Sequence, residues 1–244
     1  ARVYGELPSY PVNNVGYESI DQYALDGAAR LELVTLRLGT RQAAAALHVA
    51  LFTPRRDAPV PLIIMSDFCG LDADLDHRLP SPSWRAPRCR SILGRALTQI
   101  SHGDAILHPP LRAMIERGYA VAVFYPSEIA PDDPVLFSEA PIRDVTAGHE
   151  SGAVAAWASL YLSVFEVMRA DSRVARSQIA LCGHSRFGKA ALLAAALEPQ
   201  VGAIIANQSG TFGATLSSAT RGESVVQIMQ RFPHWFPILP EMQT

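Results

Sequence analysis

Residues 177–197 read SQIALCGHSRFGKAALLAAAL, and this stretch decides the fold. Ser177 to Cys182 is a short apolar run of strand character, and Phe187 to Leu197 is rich in the alanine and leucine that favour a helix. Between them, Gly183-His184-Ser185-Arg186-Phe187-Gly188-Lys189 occupies the strand-turn-helix context that a nucleophile elbow requires. A serine held on so tight a turn needs neighbours without a Cβ. Its hydroxyl then projects beside the positive end of the following helix, whose free N–H groups stabilise an oxyanion. The spacing departs from G-x-S-x-G, because Phe187 stands at the second glycine position and the glycine follows at 188. The plain alternative is a serine N-cap, which needs no chemistry. The strand before and the helix after favour Ser185 as the nucleophile.

Outward from the elbow, strand and helix keep alternating. Pro109 to Arg117 opens with prolines suited to a first helical turn, and Gly118 closes it before the strand Tyr119 to Tyr125. Glu150 to Met168 places Ala153, Val154, Trp157, Leu160, Tyr161, Val164, Phe165 and Met168 on one stripe at three- and four-residue steps, which predicts a long core-facing helix. Val201 to Ala206 is another strand. Upstream, Arg30 to Leu38 and Ala45 to Phe52, parted by Gly39 and the Arg41-Gln42 turn region, read as a hairpin-like pair, and Val60 to Met65 as a buried parallel strand. The alternation predicts an α/β fold with a mostly parallel central sheet and helices on both faces. Residues 71–107, with Pro80, Pro82, Pro87, Gly94 and Gly103 among charges, read as a loop-rich insertion in a single domain spanning 1–244.

Composition narrows the function. Hydrophobic residues are 49% and charged residues 18% of the 244, so a folded core is expected. Lys and Arg total 21 against 23 Asp and Glu, a net charge of -2, which leaves no basic surplus for nucleic acid. Apolar runs are interrupted by charges or breakers short of the roughly 18 residues a membrane span needs, so no membrane partner is expected. Cys69, Cys89 and Cys182 cannot all pair, and none lie at a CxxC spacing; they do not fix the compartment. The opening ARVYGELPSYP has neither a basic nor an apolar leader region, so a signal peptide is either removed or outside this sequence.

The motif G-x-S-R-x-G-K, here GHSRFGK, resembles the elbow of glucuronoyl esterases, carbohydrate esterase family 15, within the α/β-hydrolase superfamily. GYAVAVFYPSEIAPDD, SGAVAAWA, ANQSGTFGATLSSATRGESV and FPHWF resemble bacterial members in order and spacing, from about Val3 to Met242 and most strongly from His108 onward. The resemblance implies a serine esterase without metal or organic cofactor that cleaves esters of (4-O-methyl-)glucuronic acid on xylan, as in lignin-carbohydrate linkages. Ser185 attacks the carbonyl. Arg186 follows it, so its backbone N–H is the natural oxyanion donor, and the resemblance implies that its guanidinium adds to the same hole. Lys189, one turn on, and Glu223 in Arg221-Gly222-Glu223-Ser224 are implied to grip the sugar. An acetyl xylan esterase is the nearest enzyme rival, and a non-catalytic carbohydrate-binding relative is the rival of another class. A polymeric plant substrate implies a secreted or periplasmic protein, expected to be a monomer at full length.

His184 adjoins the nucleophile, but its side chain is expected to point into the structure. His234, among aromatics and proline, fits a packed loop better than a general base. The family's chain order of Ser, acid, His places the base further downstream, so the chain reads as C-terminally truncated and inactive alone. Many members carry a catalytic Glu in an ESG motif; here Asn207-Gln208-Ser209-Gly210 has an amide in its place. The acid is then expected, with the histidine, beyond Thr244.

Overall fold

The computed structural model describes residues 3–39, 44–94, 96, 109–140, 151–216 and 222–237. Among the described residues seven strands form one sheet: β1 (Val12–Asp21), β2 (Ala29–Gly39), β3 (Ala44–Pro54), β4 (Val60–Ser66), β5 (Ala120–Phe124), β6 (Val174–His184) and β7 (Ala203–Asn207). Their order is β1-β2-β3-β5-β4-β6-β7. β5, β4, β6 and β7 are mutually parallel, while β1, β2 and β3 run as antiparallel neighbours and β3 joins β5 antiparallel. The pair read from 30–38 and 45–52 is therefore β2 and β3, Leu38 opposite Ala45. The turn region at 41–42 lies outside the described residues. β1 has no counterpart in the strands read from the sequence. Most of its side chains are exposed, so the apolar alternation that marks a half-buried strand is missing.

Among the helices of the described residues are α1 (Leu71–Asp74), α2 (Leu111–Glu116), α3 (Pro134–Glu139), α4 (Ala153–Ala170), α5 (Ser185–Leu197) and α6 (Val225–Arg231). The period-two alternation of the strands divides the core between the two faces. On one face Val34, Leu36 and Leu38 of β2, Leu47, Val49 and Leu51 of β3, and Ala120, Ala122 and Phe124 of β5 pack with α4 and α5. On the other, Leu31 and Leu33, Ala50 and Phe52, and Val121 and Val123 pack with Leu71, Leu111 and Ile115 of α1 and α2. Both faces thus carry helices, as an α/β-hydrolase fold requires.

α4 is the spine of the larger core. Trp157, Leu160, Tyr161, Val164 and Met168 are fully buried, and the Trp157 Nε1 donates to the Ala130 carbonyl at 2.7 Å. Its 18 residues have a mean hydropathy of 1.2 and match a membrane span in length and composition, contrary to the reading of broken apolar runs. Burial against the sheet and α5 accounts for that apolar character. Gly152 precedes α4 because the Trp235 backbone lies against it; a Cβ there would stand 2.8 Å from the Phe236 Cα.

Over its described part the stretch 71–107 holds α1, a short 3₁₀ turn at Pro87–Cys89 and helical residues at 92–94 and 96, with loop between them. Cys69 and Cys89 are joined by a disulfide that closes this loop, and Cys182 is free. Positions 95 and 97–107 of the stretch lie outside the described residues.

Candidate active site

Ser185 sits where β6 meets α5, at the C-terminal end of a parallel strand flanked on both sides by the parallel strands β4 and β7. Open α/β sheets present their ligands at this end. Its φ is +52°, a left-handed conformation that costs a residue with a Cβ on the order of 1–3 kcal/mol. Two glycines make the turn possible. A Cβ on Gly183 would collide with the Phe187 carbonyl and stand 2.8 Å from the Gly188 nitrogen. A Cβ on Gly188 would stand 3.0 Å from the Gly183 oxygen and 3.0 Å from the Ser209 Cβ. Gly188 thus lets the first turn of α5 close against β6 and against the loop after β7. Phe187, the departure from G-x-S-x-G, faces the core instead, with its ring 4.8 Å from Phe68 and 5.1 Å from Trp157.

The loop after β4 reaches this turn through Phe68, whose ring also lies 5.6 Å from His184. His184 accordingly packs at the turn. In this loop the N–H groups of Cys69 and Gly70 donate to Asp67 Oδ1 at 2.6 and 2.8 Å. Burial pushes the Asp67 carboxyl above the usual carboxylate range, and these bonds work against it.

Arg186 pairs through Nη1 with Asp132, a residue the sequence reading left without a role. Asp132 lies in the loop between β5 and α3, and its carboxylate also accepts from Trp235 Nε1 at 2.8 Å and meets His234 Nε2 at 3.0 Å. His234 is buried, and desolvation, followed by the Arg186 charge, pushes it down to about 4, with Asp133 opposing. It is a packed histidine that burial holds neutral near pH 7.

Lys189 is almost fully buried. Its Nζ donates to the carbonyls of Ser209 and, at 2.5 Å, Thr211. Two of the three ammonium donors are thus spent on the loop after β7. Burial, then the Arg186 charge, lowers this amine to about 8, while Glu223 works in the opposite direction. Glu223 is exposed; its carboxylate lies 3.4 Å from the Arg231 Nη1, and its carbonyl accepts from the Thr211 hydroxyl at 2.6 Å. The loop that Lys189 grips therefore also reaches Glu223, while Arg221 of that segment lies outside the described residues. Gln208, at the end of β7, has φ +47°, a second left-handed residue beside the elbow, because Asn207 pairs with His184 across the sheet. Among the described residues no three His, Cys, Asp or Glu side chains gather in metal-binding range.

A family described as glucuronyl esterase, fungi, matches residues 105–231, more than half of the chain and the segment that carries the elbow. The chain belongs to the glucuronyl esterase family. A curated relative, carbohydrate esterase MZ0003 from an unknown prokaryotic organism, is 29% identical over 252 residues, covering 97% of this chain and 57% of the relative. The solved glucuronoyl esterase from Solibacter usitatus superposes with a TM-score of 0.79 at 29% identity, covering 97% of this chain and 62% of that one. A promiscuous CE15 esterase from a marine bacterial metagenome gives 0.78 at 27% identity, with the same coverage. The chain thus spans about three fifths of the length of these relatives.

Proposed function

We propose that this protein hydrolyses esters of glucuronic acid, with Ser185 as the nucleophile. The observation that carries the reading is the left-handed backbone of Ser185 on the β6–α5 turn, closed by Gly183 and Gly188. A serine N-cap would need no such conformation. In the reaction the Ser185 Oγ attacks the uronoyl carbonyl while a histidine base takes its proton. The tetrahedral intermediate then expels the alcohol, which receives that proton, and water releases glucuronate from the acyl-enzyme. The oxyanion is met by the Arg186 backbone N–H at the start of α5 and by its guanidinium. Many hydrolases draw a second amide from the loop after a neighbouring strand; here Asp67 holds the Cys69 and Gly70 amides. A side-chain donor from Arg186 takes that place.

Lys189 and Glu223 bind the sugar, Lys189 with the ammonium donor its two carbonyl contacts leave over. No metal or organic cofactor takes part. Residues 1–244 belong to a single α/β-hydrolase domain, with 71–107 as a loop-rich insertion. Its disulfide suits an oxidising compartment, consistent with secretion or a periplasmic site where glucuronoxylan would be met.

The test is a substrate comparison on the full-length protein: methyl or benzyl glucuronate, acetylated xylan and a nitrophenyl acetate. Glucuronate esters are expected to give a kcat/KM at least about tenfold above the others, since binding energy from the sugar is expressed in the transition state. Preference for acetyl esters overturns the substrate, and sugar binding without turnover overturns the enzyme.

A further inference from the structure

A cation at the first turn of a helix is out of place, because the helix N-terminus already carries partial positive charge. Arg186 is in that position, and its guanidinium is also largely removed from water. Phe68, Phe232 and Trp235 stand around it with ring centroids 5.8, 5.7 and 5.6 Å from Cζ. Something must both neutralise and orient it.

Asp132 does both. It is buried, with a side chain 6% exposed, and it comes from another part of the chain, beyond β5. The carboxylate is itself fixed from a third segment, by Trp235 Nε1 and His234 Nε2 on Oδ1, which leaves Oδ2 to Arg186. An ionised carboxylate only accepts, so the neutral His234 carries its proton on Nε2 and donates. Trp235 is in turn held against Phe232, the two rings stacked 4.0 Å apart. A guanidinium is a rigid planar fork, and anchoring one end fixes the plane in which its other donors lie.

Resting on the reading of Arg186 as an oxyanion donor, we propose that Asp132 is a positioning residue of the reaction: clamped by Trp235 and His234, it sets the orientation in which Arg186 meets the developing oxyanion. Charge on that oxygen develops only in the transition state, so the contribution belongs in kcat rather than KM.

The experiment is a double-mutant cycle on the full-length enzyme with benzyl glucuronate, using Asp132→Asn, Arg186→Gln and the pair, with melting temperatures recorded for all. D132N is expected to lower kcat about 30-fold with KM within about threefold, and to change kcat by less than about twofold when added to R186Q. A merely structural role, holding residues 232–236 in place, would cost the same factor in both backgrounds and overturns the proposal. Should D132N fail to fold, the cycle is run with Trp235→Phe, which removes one donor from the carboxylate and leaves the ion pair. A smaller kcat loss that vanishes in R186Q supports the proposal, and an additive loss overturns it. An active parent with additive losses sinks the proposal alone, whereas a parent without glucuronate esterase activity sinks the functional reading as well.

Discussion

The carbonyl of Phe187 occupies the space that a Cβ on Gly183 would need. This close approach brings the end of β6 against the first turn of α5, on either side of the left-handed Ser185. Gly183→Ala is therefore expected to destabilise the protein by more than about 2 kcal/mol, since a backbone carbonyl has no rotamer with which to yield. Gly188→Ala, whose nearest contacts are at 3.0 Å, should cost less. Thermal unfolding of the two variants side by side checks the order.

Lys189 is a buried amine lowered to about 8, chiefly by desolvation. In its protonated form it donates to the loop after β7 and, on the proposed reading, to the sugar. The KM for a glucuronate ester should rise as pH passes through about 8, with kcat changing less. Lys189→Met should raise KM at neutral pH and remove the alkaline rise, which a pH series of initial rates would show.

His234 is held down to about 4 from an ordinary 6.5. Between those values the unfolded chain binds a proton that the folded protein resists, so this group's contribution to stability falls as pH drops from 6.5 to 4 and is level outside that window. His234→Gln should flatten this part of the melting-temperature profile. On the reading of His234 as a packed residue, the substitution should leave any catalytic pKa near neutrality in place.

The Cys69–Cys89 disulfide spans 20 residues and ends beside Phe68, which packs on the elbow at Phe187. Closing a loop of this length is worth about 3 kcal/mol on the chain-entropy estimate. Reduction, or the Cys69→Ser/Cys89→Ser pair, should lower the melting temperature by several degrees, read by calorimetry with and without reductant.

The parallel half of the sheet was legible because its strands are apolar runs closed by Gly118 and by the elbow, and because α4 repeats its apolar stripe over five turns. The elbow was legible because Gly-x-Ser followed by a glycine and a helix leaves few other backbones open to it. β1 was hidden because most of its side chains face outward. α6 was missed although Ser224 and Gln227 form a capping box, with Gln227 N–H on the Ser224 hydroxyl at 3.2 Å; the S-x-x-Q spacing was the available signal. Asp132 had no local signal, because its partners lie 54 and about 100 residues away and meet only through the sheet. Pairing of Cys69 with Cys89 likewise depends on where the loop after β4 returns, which spacing does not encode.

Ser185 carries the proposed chemistry, and the most direct measurement is the kcat of Ser185→Ala on benzyl glucuronate in the full-length enzyme, together with the Kd for glucuronate by calorimetry. A fall in kcat of at least about a thousandfold with Kd within about threefold is the result expected, because the hydroxyl forms its bond only during reaction. Turnover within tenfold of the parent would place the chemistry elsewhere and contradict the account.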